Sequence, residues 1–143
     1  MTYEYTITAN YKPGEPVQIT DDQTASAFLD DLLQEATRSA DSTAAMLYIN
    51  ERPKDADGLA DHELCIGVDP KTKTGSLAYT DRDGQFYAVG RASARDQVVY
   101  FCQGYDEYFP QDSEVDLPEI LSALQDMLRA GERPQNFVWA PIP

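Results

Sequence analysis

The sequence predicts an α+β protein: an antiparallel sheet of about six or seven strands, laid out as a meander, with two helices on one face. Three observations carry this. Two segments, one early and one late, place apolar residues at helical spacing between capping and stopping signals. Between them, short alternating apolar runs follow one another with connections too short for parallel crossovers. The resulting order is strand, helix, five strands, helix, strand, and each helix has a single apolar stripe to bury against the sheet. At 143 residues the chain reads as one domain, 1–143, long enough to bury a core.

Residues 3–9, YEYTITA, alternate with period two, so Tyr3, Tyr5, Ile7 and Ala9 share one face of a first strand. Pro13, Gly14 and Pro16 make a turn. Thr20 and Gln23 have the spacing of a capping box, and Asp21 and Asp22 sit where the helix dipole favours anions. Ala25, Phe28, Leu29, Leu32, Leu33 and Ala36 then mark a helix over 21–38.

Residues 44–50, AAMLYIN, form a strand bounded by Asp41 and Ser42 before it and Arg52-Pro53 after it. The polar stretch 51–61, with Pro53 and Gly58, is an exposed loop. Four strands follow at 63–68, 75–80, 85–90 and 97–102, ELCIGV, GSLAYT, QFYAVG and QVVYFC. Asp69-Pro70 turns the chain between the first two. Asp81-Arg82-Asp83-Gly84 joins the next two as a hairpin, because Asp and Gly tolerate positive φ. Gly104 to Glu114, GYDEYFPQDSE, reads as an acidic, aromatic loop.

The second helix is the most strongly specified element. Asp116 is its N-cap, Pro118 lies in the first turn, and Glu119 closes a capping box. Leu117, Ile120, Leu121, Leu124 and Leu128 form its stripe. Arg129 suits the negative end of the dipole, Gly131 ends the helix, and Pro134 forbids continuation. Residues 136–140, NFVWA, make a last strand that carries the single Trp.

Charge is the strongest global signal, with 25 acidic against 11 basic residues and a formal net charge of −14. Such a surface repels nucleic acid and anionic membranes and attracts basic partners over a Debye length of ~8 Å. Solubility alone would also account for it. No apolar run reaches the ~20 residues of a membrane span, and the N-terminus lacks a signal-peptide pattern, so a cytoplasmic location is expected. Cys65 and Cys102, each inside an expected strand, read as reduced, buried small hydrophobes.

The catalytic inventory is thin. His62 is the only histidine, sits in ADHEL at the edge of the polar loop, and reads as solvated. Neither a Cys-x-x-Cys pair, nor a phosphate-binding glycine loop, nor a dinucleotide fingerprint is present. The carboxylate pairs Asp21-Asp22, Asp30-Asp31 and Asp106-Glu107 are expected by chance in so acidic a chain. No enzyme activity, cofactor or metal is therefore expected. The segment 104–114 stands apart, because it sets Tyr105, Tyr108 and Phe109 among Asp106, Glu107 and Asp112. Aromatics on a loop anchor a partner at low entropic cost, and carboxylates around them steer it. Equally, the aromatics could fold back over the core and leave the acids solvated.

The C-terminal stretch FPQDSEVDLPEILSALQDMLRAGERPQNFVWAPIP resembles the first-numbered immunity-protein family of bacterial polymorphic toxin systems. The likeness lies in a Ser-x-Val approach, a short helix, an L-x-x-G-x-R-P exit and a strand ending in Trp. The glycine-punctuated stretch GVDPKTKTGSLAYTDRDGQFYAVGR is similar to that family's hairpins. The resemblance implies a cytosolic antidote that binds a cognate toxin domain, often one with a deaminase fold acting on cytosine in DNA. The zinc-deaminase signature H-x-E with P-C-x-x-C is absent here, since Glu63 follows His62 directly and both cysteines stand alone. The chain thus looks like the inhibitor, with a basic toxin domain as partner. Ser113, Val115, Gly131, Pro134 and Trp139 all have structural explanations, so partner contacts are expected at Tyr105, Asp106, Glu107, Tyr108, Phe109 and Asp112, with the hairpin acids Asp81 and Asp83 as a second position. Two other readings remain: a small ligand-binding or enzymatic domain using Tyr and carboxylates, and an acidic mimic of nucleic acid.

Overall fold

The computed structural model describes residues 3–40 and 42–143; Asp41, expected to bound a strand, and the first two residues lie outside them. Its order is β1 (Ile7–Asn10), β2 (Val17–Ile19), α1 (Asp22–Arg38), β3 (Ala44–Ile49), β4 (His62–Asp69), β5 (Thr74–Asp81), β6 (Gly84–Ala88), β7 (Val98–Cys102), β8 (Tyr105–Phe109), β9 (Val115–Asp116), α2 (Leu117–Ala130) and β10 (Trp139–Pro141). An eight-stranded sheet runs β10-β6-β5-β4-β3-β1-β2, with β9 paired to the start of β5, and its pairings are antiparallel. The α+β architecture with two helices and an antiparallel sheet is the one the sequence predicts.

Period-two alternation divides each strand between two faces. Ala45, Leu47 and Ile49 of β3, Leu64, Ile66 and Val68 of β4, and Leu77 and Tyr79 of β5 face the helices. There they meet Phe28, Leu29 and Leu32 of α1 and Ile120, Leu124 and Leu128 of α2 in one apolar core. Tyr3 and Tyr5 pack on that core from outside β1, which begins only at Ile7.

The N-cap of α1 lies one residue beyond the expected Thr20. Asp21 accepts the Thr24 N–H at 2.8 Å, and Thr24 Oγ1 accepts the Asp21 N–H at 3.0 Å. An ionised cap beside the helix N-terminus is favoured by the dipole as well as by the bond. At α2 the sequence reading holds. The Asp116 N–H donates to Glu119 Oε1 at 3.2 Å, and Gly131 ends the helix in the left-handed conformation at φ 69°. Its N–H returns to the Met127 carbonyl at 2.9 Å. Leu117 and Leu121 are only half-buried, whereas Ile120, Ala123, Leu124, Met127 and Leu128 are fully enclosed.

Two expectations are corrected. The strand at 97–102 does not extend the meander. It turns back at Gln103-Gly104 and pairs with Tyr105–Phe109, so the expected loop contains a strand, and β7–β8 is a separate two-stranded sheet. Both turn residues have positive φ, 50° and 88°, as a two-residue hairpin of matching twist requires. This hairpin lies on the sheet face opposite the helices, over a second, smaller core of Ala44, Cys65, Val98, Tyr100 and Phe109. Tyr100 is seated above Gly67, its hydroxyl bonded to Ser76 Oγ at 2.9 Å and reached by the Arg95 guanidinium at 2.8 Å. Ser113 joins that buried group through Ser76 at 3.0 Å.

Candidate functional site

The eight residues expected to meet a partner fall in three settings. Tyr105, Asp106 and Tyr108 stand at the free side of the β7–β8 hairpin, and the two tyrosines are 77% and 57% exposed. Tyr108 donates to the Asp106 carboxylate at 3.2 Å. Glu107 and Phe109, of opposite parity to Asp106 and Tyr108, turn toward the sheet, while Tyr105, on their side of the strand, stands exposed at the turn. Phe109 packs edge-on against Tyr100 at 5.3 Å and belongs to the small core. Burial, then the charge of Glu63, lifts the Glu107 carboxyl above its ordinary range. Asp112 follows the hairpin and accepts the Tyr87 hydroxyl at 2.8 Å.

Asp81 and Asp83 form the third setting, at the β5–β6 turn. Asp81 accepts the Asp83 N–H at 2.9 Å and so holds the turn. Both line an open polar cleft of about 230 Å³ with Arg52, Asp61, His62 and Arg133. Tyr100 sits over Gly67 of β4, while Cys102 and Glu107 lie in the field of Glu63 on the same strand. The hairpin therefore runs along β4 from Gly67 toward Glu63, and its tip faces the same end of the sheet as the β5–β6 turn. No ion pair among the described residues engages Asp81, Asp83, Asp106, Glu107 or Asp112.

Three residues at that end escaped the sequence reading. Tyr48, outward on β3, donates to Glu63 Oε2 at 2.6 Å. Leu59, at the tip of the polar loop, is 64% exposed beside Tyr48. Strand parity on AAMLYIN and ELCIGV already directs Tyr48 and Glu63 away from the helix face; Leu59 carries no such signal.

His62 is the clearest correction, because it is buried, not solvated. Its Nε2 accepts the Ile49 N–H at 2.8 Å, its Nδ1 lies 2.8 Å from Asp61 Oδ1, and its ring stacks on Tyr79. With Nε2 accepting, the proton sits on Nδ1 and is donated to Asp61. Both ring nitrogens are thus committed to structure, and neither is available as a catalytic base.

Asp61 also binds Arg52 through both oxygens, at 3.0 and 2.8 Å, and Arg52 reaches the Gly131 carbonyl at 3.1 Å. Arg52 first, then His62, holds the Asp61 carboxyl at about 2 against an ordinary 3.8. A depressed carboxyl contributes stability above its unfolded value and loses it as pH falls through the folded one. The melting temperature of the unaltered protein should therefore fall as pH drops from ~4 to ~2, and Asp61→Asn should be less stable near neutrality with a shallower loss in that window. An acid limb unchanged by Asp61→Asn would assign it to other carboxylates.

Cys65 is buried, Cys102 is half-buried, and burial raises both thiols. Among the described residues no group of three or more His, Cys, Asp or Glu is placed to hold a metal ion, and no helix is long and apolar enough to cross a membrane.

No curated protein sequence matches the chain. A family model described as Immunity protein Imm1 matches residues 13–141. Every element from β2 to β10, including both helices and the β7–β8 hairpin, lies inside that match, and the chain belongs to the Imm1 immunity-protein family.

Proposed function

We propose that this immunity protein neutralises a toxin domain with a basic substrate path, a nucleic-acid-modifying cytosine deaminase fitting best, by covering that path with the acidic end of its sheet. It acts in the cytosol, without chemistry of its own. The observation that carries this reading is the hairpin: exposed Tyr105 and Tyr108 stand beside Asp106, and no ion pair among the described residues neutralises Asp106, Glu107, Asp112, Asp81 or Asp83. A domain that handles nucleic acid presents Lys and Arg along its substrate path. The net charge of −14 would accelerate encounter with such a surface, and the tyrosines would anchor what the charge has steered. Asp81 and Asp83 extend the same acidic end, while Glu107, Phe109 and Asp112 support the hairpin more than they reach beyond it.

The test is co-expression and direct binding with the toxin domain encoded beside this gene. Protection from killing and a purified complex are expected; neither appearing would end the proposal. Within the complex, Asp106→Asn should slow association, most visibly at low salt. Tyr105→Ala with Tyr108→Ala should raise the dissociation rate, costing about 2 kcal/mol or more if both are anchors. Melting temperatures should change little, because all three side chains are exposed. Wild-type kinetics in these variants would move the interface off the hairpin.

A further inference from the structure

The hairpin has one closed edge and one open edge. Its two-residue turn makes Cys102 and Tyr105 a hydrogen-bonded pair, and bonded pairs recur at every second position, at Tyr100–Glu107 and Val98–Phe109. Backbone groups of the intervening residues point away from the hairpin. On β7 those of Phe101 are taken: its N–H donates to Thr43 Oγ1 and its carbonyl accepts the Thr43 N–H, both at 2.8 Å. On β8 they belong to Asp106 and Tyr108, and among the described residues nothing bonds them. Beyond Pro110 the chain is closed again, since the carbonyls of Gln111 and Asp112 accept the N–H groups of Ser93 and Gly90 at 2.9 and 2.8 Å.

An open ladder is a template for another strand unless something protects it. The outer strands of the large sheet, β2 and β10, are three residues each, and β10 ends in proline. β8 is five residues long and has no proline within it. Its only guard is charge. Two copies pairing along β8 would bring Asp106 and Glu107 of both chains side by side, so self-association is opposed. A cationic strand meets the opposite condition.

We propose that β8 is a docking strand: an extended, Lys- or Arg-bearing segment of the toxin partner adds to its open edge, bonded to the outward N–H and C=O groups of Asp106 and Tyr108. This rests on the neutralisation reading and specifies its geometry. Residues of the added strand alternate between the side of Asp106 and Tyr108 and the side of Tyr105 and Glu107. A cation at either position lies beside a carboxylate, and next to Glu107 it would offset the repulsion from Glu63. Main-chain bonds supply affinity, and charge at alternate positions supplies selectivity.

Amide hydrogen exchange tests this on the unaltered protein, free and bound to the toxin domain of the adjoining gene. The amides of Asp106 and Tyr108 should exchange freely alone and slow by about tenfold or more in the complex, in keeping with newly formed hydrogen bonds. A pair of variants gives the second measurement. Tyr108→Thr removes the aromatic ring but keeps the outward N–H, whereas Tyr108→Pro removes both without breaking a bond to β7. Tyr108→Pro should bind about tenfold more weakly than Tyr108→Thr. A complex in which both amides still exchange at the free rate overturns the docking strand while leaving neutralisation intact. Equal binding by the two variants, with each hairpin folded by its exchange pattern, does the same. Absence of any complex with the unaltered protein overturns both.

Discussion

Gly67→Ala is expected to destabilise the protein by about 3 kcal/mol and to release the β7–β8 hairpin from the sheet. A Cβ at this position would lie 2.2 Å from Cγ and 2.4 Å from Cδ2 of Tyr100. The ring has nowhere to retreat. Its hydroxyl is tied to Ser76 and Arg95, and its edge is packed against Phe109. One methyl group therefore either buckles β4 or lifts the ring with the strand that carries it. The helix-side core does not touch this face, so the loss should be local first. Exchange at β7 and β8 amides should accelerate more than exchange in α2 or β4, and toxin binding should weaken beyond what the folded population explains. A variant within about 0.5 kcal/mol of the parent, with its hairpin equally protected, would show that the Gly67 notch does not seat the hairpin.

Leu124→Ala is expected to cost about 2–5 kcal/mol by the opposite route. Leu124 is fully buried where α2 meets the sheet. Truncation removes apolar area from the core and leaves a cavity that rigid neighbours fill only in part. Urea unfolding followed by Trp139 fluorescence measures the loss. Binding per folded molecule should be unchanged, because the hairpin face is untouched. Leu121→Ala, at a half-buried position of the same stripe, should cost clearly less. Equal costs at the two positions would mean that the stripe is rotated from the one described.

The contrast between these two faces is also the contrast between what the sequence discloses and what it withholds. Helix α2 was legible because its determinants are local: Asp116, Pro118, Glu119 and Gly131 lie within one short segment and act on neighbouring backbone groups. The period-two strands β4 to β6 were legible for the same reason. The placement of β7 was not. Whether a strand joins a sheet edge or lies across its face depends on the partner it finds, here Gly67 for Tyr100. The three-residue β2 is too short to show a period. His62 looked solvated because its sequence neighbours are polar, while its burial comes from Ile49 and Tyr79.

In the candidate site, the aromatic and acidic character was visible and the direction of each side chain was not. Reading Gln103-Gly104 as a hairpin turn would have supplied it. Alternation from Tyr105 then sends Glu107 and Phe109 inward and leaves Asp106 and Tyr108 outside. Of the two open readings of that segment, core cover describes Phe109, while Tyr108 is left exposed.

The hairpin is also one unbroken run of chain, from Val98 to Phe109, while the large sheet and both helices are assembled from what precedes and follows it. Its claim on the rest of the molecule is a small footprint, centred on Tyr100 over Gly67. Provided that footprint is kept, the outward letters of the run can be rewritten without renegotiating the main core. On the interface proposed above, such a scaffold would follow a changing adversary by local edits, keeping its architecture while exchanging its target.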